Sequence, residues 1–90
     1  MNPKKVNILG MELDEWKVDS CIGHFGVGND WATLYDIASK DKNKGHATKL
    51  LKAAKKYYQS QKKLVGGTIA LNTAMSKIYR KLKIHEFKEV

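Results

Sequence analysis

The residues best suited to chemistry lie in Lys42-Asn43-Lys44-Gly45-His46-Ala47-Thr48, between an apolar run ending at Ile37 and a long amphipathic segment. A short strand, a turn holding Gly beside a small residue, and a helix start together make an anion site. The first helical turn has N–H groups with no intrahelical partner, and the helix dipole adds partial positive charge there. Gly45 and Ala47 let the oxygens of a phosphate approach the backbone, while Lys42 and Lys44 add full charges. Small residues at a helix start also serve packing alone, and that reading stands beside the first.

Such a site needs a strand to deliver the chain and a helix to receive it. Trp31 to Ala38 reads as that strand, after a hairpin-type turn at Gly28-Asn29-Asp30. From Gly45 to about Lys62, Ala47, Leu50, Leu51, Ala54 and Tyr58 recur at helical spacing, and Lys49, Lys52, Lys55, Lys56 and Lys63 fall mostly on other faces. The lysine run reads as a solvated helix face, or as a surface for nucleic acid or an acceptor. Leu64 to Leu71 reads as a buried strand behind a Gly-Gly entry. Met75, Ile78, Tyr79 and Leu82 predict a second amphipathic helix over Thr73 to Lys83, with Asn72 or Thr73 as its cap. Ile84 to Val90 closes the chain, with a last strand as one option. Upstream, Val6 to Leu13 reads as a strand, Asp14-Glu15 as a turn, and Trp16 to Val27 as a second strand. That strand places Trp16, Val18, Ser20, Ile22, His24 and Gly26 on one face. Lys17, Asp19, Cys21, Gly23, Phe25 and Val27 fall on the other, with a bulge or bend at Gly23 and Gly26.

Ninety residues bound the chain to one small domain, residues 1–90, whose modest core leaves a homodimer open. A hydrophobic fraction of 42% supports a folded chain. Cys21 is the single cysteine, which excludes an intrachain disulfide, and no Cys/His cluster has zinc spacing, so no metal is expected. No apolar run is long enough for a signal peptide or a membrane span, and a cytoplasmic setting fits. The net charge of +8 favours an anionic partner: a phosphorylated cofactor, nucleic acid or an acidic protein surface.

Two stretches together resemble the GNAT acetyltransferase superfamily. Lys42-x-x-Gly45-x-Ala47 is similar to its pyrophosphate-cradling motif, usually Gln or Arg, two residues, Gly, one residue, and Gly or Ala. Ala70-Leu71-Asn72 followed by Ile78-Tyr79-Arg80-Lys81-Leu82 resembles its strand ending in Asn and its helix carrying Leu or Ile, Tyr, any residue, Lys, Leu, Gly, Phe. The resemblance covers about Trp31 to Val90. It implies an α+β (α/β), GNAT-like fold with a mixed sheet of five to six strands and two main helices. It also implies acetyl-CoA as cofactor. Backbone groups of Tyr35, Asp36 and Ile37 would hold the pantetheine and thioester, Lys42, Asn43, Lys44, Gly45, His46, Ala47 and Thr48 the pyrophosphate, and Asn72 a further cofactor contact. Tyr79 would be the general acid, a role that suits a phenol whose ordinary pKa is roughly 10.

The departures from that pattern bear on activity. Lys42 keeps charge but lacks a planar fork or amide. Gly67 stands where many members carry a Glu general base, leaving Asp36 and His24 as substitutes by residue type. Lys83-Ile84 replaces Gly-Phe, and a left-handed Lys83 costs on the order of 1 kcal/mol. The helices that commonly shape the acceptor pocket are missing upstream of Lys42. The resemblance therefore implies an acetyl-CoA-dependent N-acetyltransferase acting on a macromolecular amine, a protein lysine or N-terminus ahead of a nucleic acid. The alternatives are a non-catalytic GNAT-like module that binds CoA or protein, and a small basic nucleic-acid-binding domain supported by Trp16, Trp31 and the lysine helix.

Overall fold

A computed structural model describes residues 2–40, 45–68 and 73–87. Its elements are β1 (Lys4–Ile8), β2 (Met11–Val18), β3 (Cys21–Val27), β4 (Trp31–Ser39), α1 (His46–Ser60), β5 (Leu64–Gly67), α2 (Thr73–Leu82) and β6 (His85–Glu86). The six strands form one mixed sheet in sequence order, so the fold is α+β. Strands β1 to β4 pair antiparallel as a meander, whereas β4, β5 and β6 pair parallel. Each parallel step needs a crossover, and α1 and α2 provide the two crossovers. No described helix is long and apolar enough to cross a membrane.

The turns of the meander differ from the sequence reading. Asp14 and Glu15 lie inside β2, and the chain reverses instead at Leu9-Gly10, where both residues have positive φ, 51° and 84°. A two-residue hairpin that follows the sheet's twist needs that backbone, and Gly10 supplies it without steric cost. The Gly10 N–H donates to Asn7 Oδ1 at 3.1 Å. The expected strand from Trp16 to Val27 is also cut, at Asp19-Ser20, with Asp19 at φ 53°. Residues opposite one another across a ladder share a face, and Val18 pairs with Cys21. The reversal therefore joins Trp16 and Val18 to Cys21 and Phe25, which an unbroken strand assigned to opposite faces.

Those residues meet Ala32, Leu34 and Val65 from the sheet and Leu50, Leu51, Ala54 and Tyr58 from α1 in one core, with Tyr79 from α2 and Ile84 closing it. Leu50, Leu51, Ala54 and Tyr58 are fully buried, as their helical spacing predicts. At the centre the Trp16 Nε1–H donates to the Tyr58 hydroxyl at 3.1 Å, and that hydroxyl donates to Asp14 Oδ2 at 2.7 Å. Burial, reinforced by the Asp14 carboxylate, pushes the Tyr58 phenol far above its usual range. Trp16 is 1% exposed, so it is unavailable to stack on a nucleic-acid base.

Strand β5 ends its described course at Gly67; Ile69, Ala70 and Leu71, expected to continue it, lie outside the described residues, as do Lys88, Glu89 and Val90 of the closing segment. Helix α2 stops at Leu82, and Lys83 is left-handed with φ 58°, the conformation that a Gly at this position would take without strain.

Candidate functional site

Helix α1 starts without a side-chain cap. Its N-cap is Gly45 at φ 75°, and its first turn carries no acidic residue. Among the described residues, a Cβ added at Gly45 would meet nothing within 4 Å. The Lys49 N–H closes the first helical bond onto the Gly45 carbonyl at 3.0 Å. The side chain of His46 is directed at the β2–β3 turn. Its Nδ1 is 3.2 Å from Ser20 Oγ and its Nε2 3.6 Å from Asp19 Oδ2, which ties the helix start to the β2–β3 turn. Ala47 packs partly buried against the core, and Thr48 is half-buried. Lys42, Asn43 and Lys44 lie outside the described residues.

Strand β4 reaches the same end of the sheet. It pairs with β5 from Trp31↔Leu64 to Leu34↔Gly67, and the Thr68 N–H adds a bond to the Leu34 carbonyl at 3.1 Å. Its ladder with β3 shifts at this level: Phe25 faces Leu34 but His24 faces Asp36, which leaves Tyr35 as the extra residue of a bulge. The glycines at 23 and 26 flank that bulge in register, but the inserted residue is on β4. A bulge bends the strand that carries it, and β4 continues to Ser39, beyond its described pairing with β5. Tyr35 is exposed with its ring across Gly26, where a Cβ would come within 2.9 Å of Cζ. Ile37 is partly buried against the core.

Tyr79 comes to this end from α2. Its ring is 5% exposed and its hydroxyl donates to the Thr68 carbonyl at 3.2 Å. Burial raises its pKa, with Glu86 adding to the shift, so the phenol keeps its proton at neutral pH. The ring explains Gly67. A Cβ there would collide with the Tyr79 hydroxyl and lie 2.7 Å from its Cζ, so no acidic side chain fits beside the tyrosine. Asn72 lies outside the described residues.

The two substitute bases named from residue type come together, with a third group that the sequence reading placed in a turn. His24 Nδ1 is 2.6 Å from Asp36 Oδ1 and Nε2 is 3.0 Å from Glu15 Oε2. The register Glu15↔His24↔Asp36 puts the three side by side on β2, β3 and β4, on the sheet face away from α1. Ionised carboxylates only accept, so both contacts become hydrogen bonds when the imidazole is protonated and donates from both nitrogens. Burial opposes that charge, but the hydrogen bonds to Asp36 and Glu15 outweigh it and the His24 pKa is raised. The bond to His24 correspondingly lowers the Glu15 pKa, although burial opposes it. Period-2 spacing from a hairpin at Asp19-Ser20 is the signal that would have paired Glu15 with His24, whereas Asp36 joins them only through the bulge. A shallow cleft of about 440 Å³ lies on the same face, with Tyr35, Trp31, Thr33, Met11 and Leu13 among its walls.

The chain matches no protein-family model, no curated protein and no solved structure.

Proposed function

We propose that the chain is a minimal GNAT-type N-acetyltransferase that uses acetyl-CoA and acts on an amine of a macromolecule in the cytoplasm. The observation that supports this reading is one juxtaposition. The bulged strand Tyr35-Asp36-Ile37, the uncapped start of α1 and the Tyr79 hydroxyl all gather at the C-terminal ends of the parallel pair β4 and β5. Strand ends of a parallel pair are where a crossover fold leaves room for a ligand. The uncapped Gly45 start and the absence of a first-turn carboxylate fit a pyrophosphate. Gly45 to Thr48 would hold it through backbone N–H groups, and Tyr35 to Ile37 would hold the pantetheine arm through theirs. The cofactor supplies an acetyl group activated as a thioester.

Tyr79 is the proton donor in this reading. Its raised pKa keeps the proton available, and releasing it requires the hydroxyl to leave the Thr68 carbonyl. The acceptor amine gives its proton to water, because Gly67 has no room for a base. An open cleft with no described helix over it suits a bulky acceptor better than a small metabolite. The engagement of Tyr79 with Thr68 also favours a second reading, a module that binds CoA without turnover.

Titration calorimetry with acetyl-CoA tests the cofactor site. Gly45 is left-handed, so the informative pair is Gly45→Asn and Gly45→Asp, two side chains that tolerate that backbone and differ in charge. The Asp variant should bind at least tenfold more weakly than the Asn variant with a similar melting temperature, and equal affinities would place the cofactor elsewhere. Thiol release then separates the two readings. Tyr79→Phe should slow acyl transfer roughly 10²-fold or more while acetyl-CoA affinity stays within a few-fold.

A further inference from the structure

Charge is segregated along this chain and therefore between its layers. Residues 1–40 hold four Lys and six Asp or Glu, a net of −2, whereas residues 41–90 hold thirteen Lys or Arg and three Asp or Glu, a net of +10. Neither α1 nor α2 contains a single acidic residue. On α1, Lys49, Lys52 and Lys56 are exposed and recur at intervals of three and four, which aligns them in one stripe opposite the buried face. On α2, exposed Lys77, Arg80 and Lys81 stand at i, i+3 and i+4 and share the face opposite Tyr79. Lys49 approaches Asp19 at 3.9 Å, and the other five have no carboxylate partner among the described residues. Lys55 is apart from the stripe: its ammonium donates to the Leu82 carbonyl and ties the two helices together.

Like charges at these spacings weaken a helix, and both helices carry them with no opposite charge between. We infer that the two stripes form a sequence-independent binding surface for the sugar-phosphate backbone of a nucleic acid. This goes beyond the acyl-transfer reading and does not depend on it. A polyanion of high linear charge density relieves the repulsion and gains affinity by counterion release. A membrane surface fits less well. The apolar face of α1 is committed to the core, with Leu50, Leu51, Ala54 and Tyr58 fully buried, so the helix has nothing to insert between lipids. A folded protein partner also fits less well, because stable interfaces centre on aromatic or apolar anchors. Among the described residues, the exposed large apolar side chains, Met11, Tyr35, Leu64 and Phe87 among them, are on the strands and their connections and not on the helices.

Fluorescence anisotropy of the full chain with a labelled DNA single strand and its duplex, titrated with salt, tests the surface. Replacing Lys52, Lys56, Arg80 and Lys81 by Gln should lower affinity at least tenfold at low salt. It should also flatten the dependence of log K on log salt, by about 0.9 per lost contact on duplex and about 0.7 on single strand. The melting temperature should hold or rise, since repulsion is removed and Gln is a good helix former. Replacing Lys4 and Lys17, exposed on the sheet side, should change affinity much less per charge. If the fourfold variant does not fold, the pairs Lys52→Gln with Lys56→Gln and Arg80→Gln with Lys81→Gln carry the test separately. Absence of binding at low salt overturns the inference, as does an equal loss per charge from the sheet side. So does binding to phosphatidylserine vesicles or to polyglutamate that matches or exceeds binding to DNA.

Discussion

In the antiparallel half, polar side chains meet one another: Glu15, His24 and Asp36 cross three strands, and Asp14, Tyr58 and Trp16 link the meander to α1. In the parallel half, beyond the start of α1 where His46 and Lys49 approach Asp19, they meet backbone. Tyr79 donates to the Thr68 carbonyl, Lys55 to the Leu82 carbonyl, and Lys63 to the Gly28 and Asn29 carbonyls. The difference follows from composition and geometry. A β-ladder sets side chains of adjacent strands opposite each other at about 5 Å, so acids and bases on neighbouring strands pair. The helices hold cations and no acids, so away from Asp14 and Asp19 of the meander their side chains donate to backbone carbonyls at helix and strand ends. In each half one aromatic ring leaves almost no room for an added side chain, Tyr35 at Gly26 and Tyr79 at Gly67.

Removing the centre of the meander should have the largest effect. Trp16→Ala deletes a buried indole and the donor to Tyr58, and should cost about 3–5 kcal/mol in urea denaturation. A loss below 1 kcal/mol would mean that the Asp14-Tyr58-Trp16 chain holds nothing. In the parallel half, Gly67→Ala should cost about 1–3 kcal/mol through overpacking against Tyr79. Combining it with Tyr79→Leu should recover part of that loss, and additive losses would show that the ring is not what Gly67 makes room for.

A smaller gain is expected from Lys83→Gly. It relieves a left-handed lysine at the end of α2, should raise stability by about 1 kcal/mol, and is read as a shift of the melting temperature. The smallest effect is a slope. The folded His24 pKa is raised above its unfolded value, so its contribution is fully present below the unfolded pKa and is lost as pH rises through the folded one. Glu15 works in the opposite sense. Its folded pKa is lowered, so its share is present above its unfolded value and lost as pH falls through the folded one. Stability should therefore fall as pH is raised past the His24 titration, and in His24→Gln that part of the slope should vanish. Lys17, 3.7 Å from Glu15, and Lys4, opposite Glu15 in the ladder, are the other charges facing the trio. An unchanged slope in His24→Gln would move the titration to another group.

Much of the parallel half was legible before the structure. Leu50, Leu51, Ala54 and Tyr58 recur at helical spacing, and all four are buried on α1. Lys83, standing where a helix stop favours Gly, is left-handed. The meander was harder to read because two of its turns fall on ordinary residues. Leu9 and Asp19 take positive φ beside Gly10 and Ser20, while the acidic pair Asp14-Glu15 resembles a turn and is a strand interior. One misplaced reversal inverts every side chain that follows, which separated Trp16 from Phe25 and hid the pairing of Glu15 with His24.

The sequence by itself determined the helices and the positions that start and stop them, because those signals are local: apolar spacing, a flexible residue at Gly45, a missing Gly at Lys83. It also determined the charge imbalance between the halves. Only the tertiary structure decided which strand faces met, that the extra residue of the bulge is Tyr35, and that Gly67 is the clearance for the Tyr79 ring. Those outcomes depend on ladder register and on residues twelve apart sharing one small volume, and no local pattern encodes either.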